Sequence, residues 1–237
     1  MYKYMKKLIN TSNIILIRHG QSEWNKLNKF TGWVDIDLSD NGIVEAEEAA
    51  PQILKSNIEF DNIYTSSLSR AIKTFQIINK ICNFAVDYEI NWRLNERHYG
   101  ALQGLNKQKM RDIHGDDQVL IWRRSYDVRP PALKEKALEK LKNQDCFLGQ
   151  KIDFFPSSES LKDTYERLIP FINRNLIPLI KTNKNILICA HGNSIRALLK
   201  FFEKISDEKI VEVEIPTGKP LLIALTPELK IVEKKYL

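Results

Sequence analysis

Cysteine, histidine, glycine and proline are all scarce in this chain of 237 residues, which has three Cys, four His, nine Gly and nine Pro. The cysteines, Cys82, Cys146 and Cys189, are widely spaced and odd in number, which excludes a disulfide framework and a clustered zinc site. A reducing cytoplasm fits best. No apolar run is long enough to span a bilayer. The opening residues 1–7 are positive, but the apolar residues that follow are broken by Asn10, Thr11, Ser12 and Asn13, so neither a leader nor a membrane role is expected. No internal repeat or low-complexity tract appears. With 43% hydrophobic residues, the chain has material for a sizeable core.

A surplus of 36 basic over 30 acidic residues gives a net charge of +6, which would suit nucleic acid, a membrane surface or a small polyanion. The basic residues are dispersed and no nucleic-acid motif accompanies them, so nucleic acid is not expected. Lys6-Lys7 and Lys234-Lys235 read as solvated ends.

Two stretches stand out. In residues 13–25 a wholly apolar run ends in Arg18-His19-Gly20, followed by Gln21 and Ser22. Residues 185–194 repeat the design, ending in Ala190-His191-Gly192-Asn193-Ser194. Short β-branched runs without alternation fit strands covered on both faces, as in a parallel α/β sheet. Each would hand a histidine to the carboxyl edge of the sheet, where ligands bind in open α/β folds. The serines could cap the helices that follow. Helix N-termini there would attract an anion.

Between them, Ser39 reads as the cap of an alanine- and glutamate-rich helix that Pro51 should bend or split. Asn62-Ile-Tyr-Thr65 reads as a second strand, delivering Ser66, Ser67 and Arg70 to its end before a helix over 71–81. Residues 84–90 read as a third, edge strand. From 91 to about 158 the strand–helix alternation breaks down, and this segment is expected to cover the site within one domain spanning 1–237. Residues 161–180 read as a long helix punctuated by Pro170 and Pro178, and 220–236 as a closing hairpin of edge strands. The fold class is thus α/β, a three-layer, mostly parallel sheet flanked by helices.

His19, His191, Arg18 and Arg70 at one edge suit phosphoryl transfer. Planar guanidiniums donate bidentately to phosphate oxygens, and an imidazole nitrogen is a competent nucleophile. Glu96 is the best candidate for the proton donor that a departing alkoxide needs. Plainer readings exist for each residue alone. Arg70 could pair with an acidic neighbour, Glu96 could be a surface carboxylate, Arg123-Arg124 a solvated helix face, and Tyr99 core filler. His98 and His114 read as surface or structural residues, since their spacing implicates no metal.

The segments Arg18-His19-Gly20-Gln-Ser-Glu-Trp-Asn25, Phe30-Thr31-Gly32-Trp33, Leu94-Asn-Glu96-Arg-His-Tyr99-Gly100-Ala-Leu-Gln-Gly-Leu-Asn-Lys107, Trp122-Arg123-Arg124 and Ala190-His191-Gly192-Asn193-Ser194 resemble the cofactor-dependent phosphoglycerate mutases of the histidine phosphatase superfamily. The resemblance runs from about Ile14 to Tyr236. It implies an isomerase that interconverts 3-phosphoglycerate and 2-phosphoglycerate in glycolysis and gluconeogenesis. The primer would be 2,3-bisphosphoglycerate, the intermediate a phosphohistidine, and no metal would be used. By the same likeness His19 carries the phosphoryl group, Glu96 shuttles protons, and Arg18, Arg70 and His191 stabilise the transferring group. Ser22, Asn25, Thr31, Gly32, Arg97, His98, Tyr99, Lys107, Arg123, Arg124, Gly192 and Asn193 would bind substrate, and the protein would be a homo-oligomer, dimer or tetramer.

Residues 131–156 depart from the family pattern, being lysine-rich and shortened, so the cover should differ in shape. Many relatives carry a further mobile tail beyond the position of Leu237, and without one readier water access and some phosphatase activity are expected. Two other readings use the same residues: a hydrolase or bisphosphoglycerate-forming enzyme, and a non-catalytic anion-binding scaffold. A pure phosphatase has less need of Lys107, Arg123 and Arg124 together, and a scaffold would have lost His19 or Glu96.

Overall fold

The apolar run after Thr11 forms strand β1 (Ser12–Arg18) in the computed structural model, which describes residues 11–237; Lys6-Lys7 lies outside the described residues. Ser22 caps a single helical turn, α1 (Glu23–Lys26), by accepting from the Asn25 N–H while the Asn25 side chain accepts from its own. Then follow α2 (Asp40–Lys55), β2 (Asn62–Thr65), α3 (Ser69–Cys82) and β3 (Tyr88–Ile90). Three short helices, α4 (Lys107–His114), α5 (Asp116–Arg124) and α6 (Glu135–Lys142), occupy the segment that interrupts the alternation. The chain closes with α7 (Leu161–Phe171), α8 (Ile177–Lys181), β4 (Ile186–Ala190), α9 (Gly192–Glu203), β5 (Leu221–Leu225) and β6 (Ile231–Tyr236).

The six strands form one mixed sheet in the order β3-β2-β4-β1-β5-β6. The first four run parallel, and β5 and β6 are antiparallel additions. Because successive strand residues point to opposite faces, each central strand feeds two cores. Ile14, Leu16, Ile186 and Ile188 pack under α7, α8 and α9, while Ile15, Ile17, Leu187 and Cys189 pack under α2 and α3. This double covering is why those strands lack polar alternation. No helix of the described residues is long and apolar enough to cross a membrane.

Several elements differ from expectation. Pro51 does not split α2, which runs through to Lys55. Its missing donor orphans only the carbonyl of Glu47, an exposed residue on the solvent side of the helix. The helix expected over 161–180 is three pieces, with a π turn at Ile172–Leu176 between α7 and α8. Pro178 cannot donate to the Arg174 carbonyl, and the wider turn sits where that bond is lost. The third strand is only Tyr88–Ile90, because Asn83 takes a left-handed conformation and ends α3 in a loop. Only β6 is a true edge of the closing hairpin, since β5 pairs with β1. There Lys234 and Lys235 do lie at the surface, paired with Glu203 and Glu233.

The turn after β1 is wedged against the first turn of α2. A Cβ on Gly20 would stand 2.1 Å from the Gly42 carbonyl oxygen, and one on Gly42 would stand 2.0 Å from the Gln21 carbonyl oxygen. Both obstacles are main chain and cannot swing aside. Gly42→Ala should therefore cost at least about 1–3 kcal/mol through overpacking, read as a lower urea midpoint, and should lower activity by shifting the His19 turn. An unchanged midpoint would contradict the packing described.

Candidate active site

The parallel register of β1 and β4 brings the two histidine turns together: Arg18 pairs with Ala190, so the next residues, His19 and His191, emerge side by side. Their ring centroids are 4.9 Å apart, and the His19 N–H is bound to the Ala190 carbonyl at 3.0 Å. Both residues are buried, at 3% and 0% exposure. The His19 Nδ1–H donates to the Gly20 carbonyl at 2.6 Å, which places the lone pair on Nε2. Burial, with the Arg70 and Arg18 charges next in weight, holds the His19 pKa well below the usual imidazole range. The ring is therefore neutral and nucleophilic at neutral pH. His191 is depressed by burial first and then by Arg70.

β2 pairs with β4 at Thr65 and Cys189, so Ser66 faces His191 across the sheet end. Its Oγ lies 2.7 Å from His191 Nε2 and accepts from the Leu68 N–H, and we assign its hydroxyl proton to the imidazole. That assignment puts the His191 proton on Nδ1, a buried position with no partner among the described residues.

Around the histidines stand guanidiniums held by main chain rather than by carboxylates. Arg70, fully buried, donates to the Gly32 and Val34 carbonyls at 2.8 and 3.1 Å. Burial lowers its pKa to about 10, which still leaves it charged. Arg18 donates to the Ile215 carbonyl at 2.7 Å. The Nε atoms of Arg18 and Arg70 have no partner among the described residues. Buried donors left open beside a neutral imidazole are what a phosphoryl oxygen would satisfy.

Glu96 is not a surface carboxylate: it is 8% exposed and lines the same cleft. Its Oε1 accepts from the Arg97 and Asn193 N–H groups at 2.8 and 3.1 Å, while Oε2 takes no hydrogen bond from any described residue. A proton carried by this group must therefore ride on Oε2. The Asn193 side chain spans from Tyr99 Oη to Arg196, at 3.2 and 3.0 Å. Further out, Lys107 at the start of α4 and Arg123 and Arg124 at the end of α5 complete the cationic wall. Among the described residues, seven cationic side chains and two carboxylates line the cleft, Lys29, Arg196 and Glu214 being additions that the sequence had not singled out.

Asn25, Thr31, Gly32 and Gly192 also line it, but Ser22, Arg97, His98 and His191 do not. Ser22 serves as the α1 cap, and its own backbone N–H goes to Asn25. Arg97 donates to the Trp122 and Arg123 carbonyls at 2.9 and 2.7 Å, fixing the end of α5 from which the outer arginines project. His98 is fully buried rather than at the surface, its Nδ1 accepting from the Gly100 N–H at 3.0 Å, whereas His114 is exposed. Ser194 does not cap α9 but accepts from the His191 N–H one turn back. Ser66 had the one usable signal, its place at the end of β2.

Burial, reinforced by the Arg167 charge, pushes the His98 pKa down to about 3. With His19 and His191 also depressed, three imidazoles stay neutral in the folded chain while the unfolded chain takes up protons near 6.5. The folded state thus binds fewer protons below that pH, and stability falls as pH drops. The slope from these groups approaches about 4 kcal/mol per pH unit once all three titrate in the unfolded chain. Urea midpoints measured from pH 7 to about 5 should fall accordingly, and His98→Asn should flatten the slope by about a third. A pH-independent midpoint would refute the assignment.

Residues 14–144 and 133–234 match the model of the histidine phosphatase superfamily, branch 1. A protein of Mannheimia succiniciproducens named 2,3-bisphosphoglycerate-dependent phosphoglycerate mutase is 49% identical over 225 residues, covering 94% of this chain and 99% of its own. Its namesake in Treponema denticola is 47% identical over 225 residues, covering 94% of this chain and 91% of its own. The crystal structure of phosphoglycerate mutase from Bacillus anthracis superposes with a TM-score of 0.68 at 18% identity, covering 96% of this chain and 93% of that one, a likeness of fold. Similarity of this extent at the level of sequence settles descent: the chain belongs to the histidine phosphatase superfamily, and within it to the family of 2,3-bisphosphoglycerate-dependent phosphoglycerate mutases.

Proposed function

We propose that this chain interconverts 3-phosphoglycerate and 2-phosphoglycerate, an isomerase of glycolysis and gluconeogenesis working through phosphohistidine at His19. The observation that carries the reading is a neutral His19 that lines the cleft, its lone pair on Nε2, beside the open guanidinium donors of Arg18 and Arg70. The fit to 2,3-bisphosphoglycerate rests on the same open donors, together with the Lys107, Arg123 and Arg124 cations that a single phosphoryl group would not need. When bound, that primer supplies the phosphoryl group that charges His19.

His19 Nε2 forms its bond to phosphorus as the bond from phosphorus to the leaving oxygen breaks, and Glu96 Oε2 gives that oxygen its proton. In the reverse sense Glu96 Oε2 takes the proton of the attacking hydroxyl while the histidine–phosphorus bond breaks. The Gly20 carbonyl steadies the imidazolium that forms when His19 is charged. Arg18, Arg70 and His191 answer the charge on the equatorial oxygens, and because they are already fixed they contribute without reorganising. Tyr99, Lys107, Arg123 and Arg124 hold the remaining anionic groups.

The reading extends to the rest of the molecule. Residues 91–158 act as the cover of a single domain spanning 1–237, supported by Tyr99, Lys107 and Arg123, which reach the cleft from that segment. A cytoplasmic location accords with three free cysteines. Assembly as a dimer or tetramer, and operation without a metal, follow from the family likeness.

A coupled assay with 3-phosphoglycerate, with and without added 2,3-bisphosphoglycerate and in the presence of a chelator, should show primer-dependent, chelator-resistant product. Inorganic phosphate as the main product would favour the hydrolase instead. His19→Ala should abolish transfer, and Glu96→Gln should slow turnover about 10²–10⁴-fold.

Glu214 pairs with Arg124 at the rim and is one of the two carboxylates lining the cleft. It competes with a ligand anion for that guanidinium. Glu214→Gln should lower the KM for 3-phosphoglycerate roughly two- to fivefold at low salt, with kcat unchanged and the gain lost at high salt. An unchanged or higher KM would refute the competition.

A further inference from the structure

Glu96 sits in a stretch with almost no regular structure: one 3-10 turn ends at Leu94 and the next begins at Gly100. Peptide groups outside helix and sheet need partners from elsewhere, and here most come from one buried ion pair. Arg167, in the second turn of α7, lies against Glu159, with Nε to Oε1 at 2.6 Å and Nη2 to Oε2 at 3.0 Å. Their side chains are 9% and 4% exposed. The same guanidinium donates to the Asn95 and Glu96 carbonyls, both at 2.9 Å, and through Nη1 to the Arg93 carbonyl.

Glu159 holds the other side of Glu96. Its Oε2 accepts from the His98 N–H at 2.9 Å, and its own N–H donates to the His98 carbonyl at 2.8 Å. Fully buried Trp33 joins them, its Nε1–H donating to the Glu96 carbonyl at 2.6 Å and its ring lying 5.5 Å from the Arg167 guanidinium. The Glu96 carbonyl thus takes two donors, and residues 93, 95, 96 and 98 all hang on one pair. Neither Glu159, Arg167 nor Trp33 lines the cleft.

We infer that Glu159 and Arg167 are positioning residues for the proton donor. By fixing the main chain on both sides of Glu96 they set where Oε2 stands relative to the oxygen it protonates. The inference rests on the reading of Glu96 as that donor. Proton transfer is sensitive to placement, and an error of about 1 Å can cost about 100-fold in rate.

The test separates steps that need the acid from one that does not. Mutase turnover needs a proton on a poor leaving oxygen, whereas 2,4-dinitrophenyl phosphate expels a stable phenolate that needs none. Arg167→Lys keeps the charge but loses the multiple carbonyl contacts, and Glu159→Gln keeps the shape but loses the charge. Assayed at a temperature where circular dichroism shows each variant folded, both should lose mutase kcat by roughly 10- to 100-fold. The first-turnover burst of dinitrophenolate, which reports the charging of His19 alone, should stay within about threefold of the parent rate in each. Adding Glu96→Gln to either should cost little more than Glu96→Gln alone. Trp33→Phe, which keeps a ring and removes the Nε1 donor, should show the same split and serves if a charge variant fails to fold.

Equal loss with both substrates, or a full mutase rate in folded Arg167→Lys beside a crippled Glu96→Gln, would overturn the positioning role alone. A full mutase rate in Glu96→Gln would instead overturn the reading of Glu96 as donor, and the positioning role with it.

Discussion

Positive groups taken out of water and set beside one another repel, and in this molecule they are held less by counter-ions than by main-chain carbonyls. Arg18 is tied to Ile215, Arg70 to Gly32 and Val34, Arg97 to Trp122 and Arg123, and Arg196 to Ile210. A carbonyl dipole fixes a guanidinium in place without cancelling its charge. A carboxylate in the same position would do both. The field of the cleft therefore remains available to a ligand, and its donors are already oriented when the ligand arrives.

The same field decides the state of the histidines. A solvated imidazole would be partly protonated near neutrality, and a protonated ring is no nucleophile. Burial and the neighbouring arginines keep His19 and His191 neutral, and the carbonyl of Gly20 selects the ring nitrogen that carries the lone pair. On the proposed reading, electrostatics that would oppose a resting cation thus prepare both partners of the transfer, the neutral nucleophile and the cationic cradle. Two kinds of support divide the work. His19 and His191 inherit their geometry from a strand register common to the whole sheet, whereas Glu96 lies outside regular structure and depends on side chains from distant elements.

That division also explains which parts could be read from the sequence. His19 and His191 were legible because the signal is local: an apolar run, a histidine, a glycine. The three layers followed from the unbroken apolar strands, and Arg18, Arg70 and Glu96 from their places beside strand ends or within a long motif. Ser66 meets His191 across 125 residues and Arg167 meets the Arg93 carbonyl across 74, separations at which no pattern in the chain announces the contact. Pro51 misled, and His98 stood open between a surface and a structural place, for a related reason. The effect of a proline depends on whether the orphaned carbonyl faces water, and that of a histidine on whether its surroundings are dry; neither is written in the residue itself. Arg97 and His98 were named through the motif that holds Glu96, yet they act behind the cleft wall rather than in it.

The cleft is asymmetric in how its cations are held, and on the proposed reading that asymmetry has a use. At its inner end the donors are pinned by main chain, as the in-line geometry of phosphoryl transfer demands. At its outer end Lys107, Arg123 and Arg124 project from the ends of two short helices, and Arg124 rests on exposed Glu214 rather than on backbone. A ligand that must present first one and then another of its oxygens to the same His19 has to turn while remaining held. Rigid contacts at both ends would forbid that turn, and loose contacts at both ends would lose the ligand to solvent. Donors tied to main chain beside the nucleophile and long side chains without main-chain ties at the mouth permit the turn without surrendering the anion.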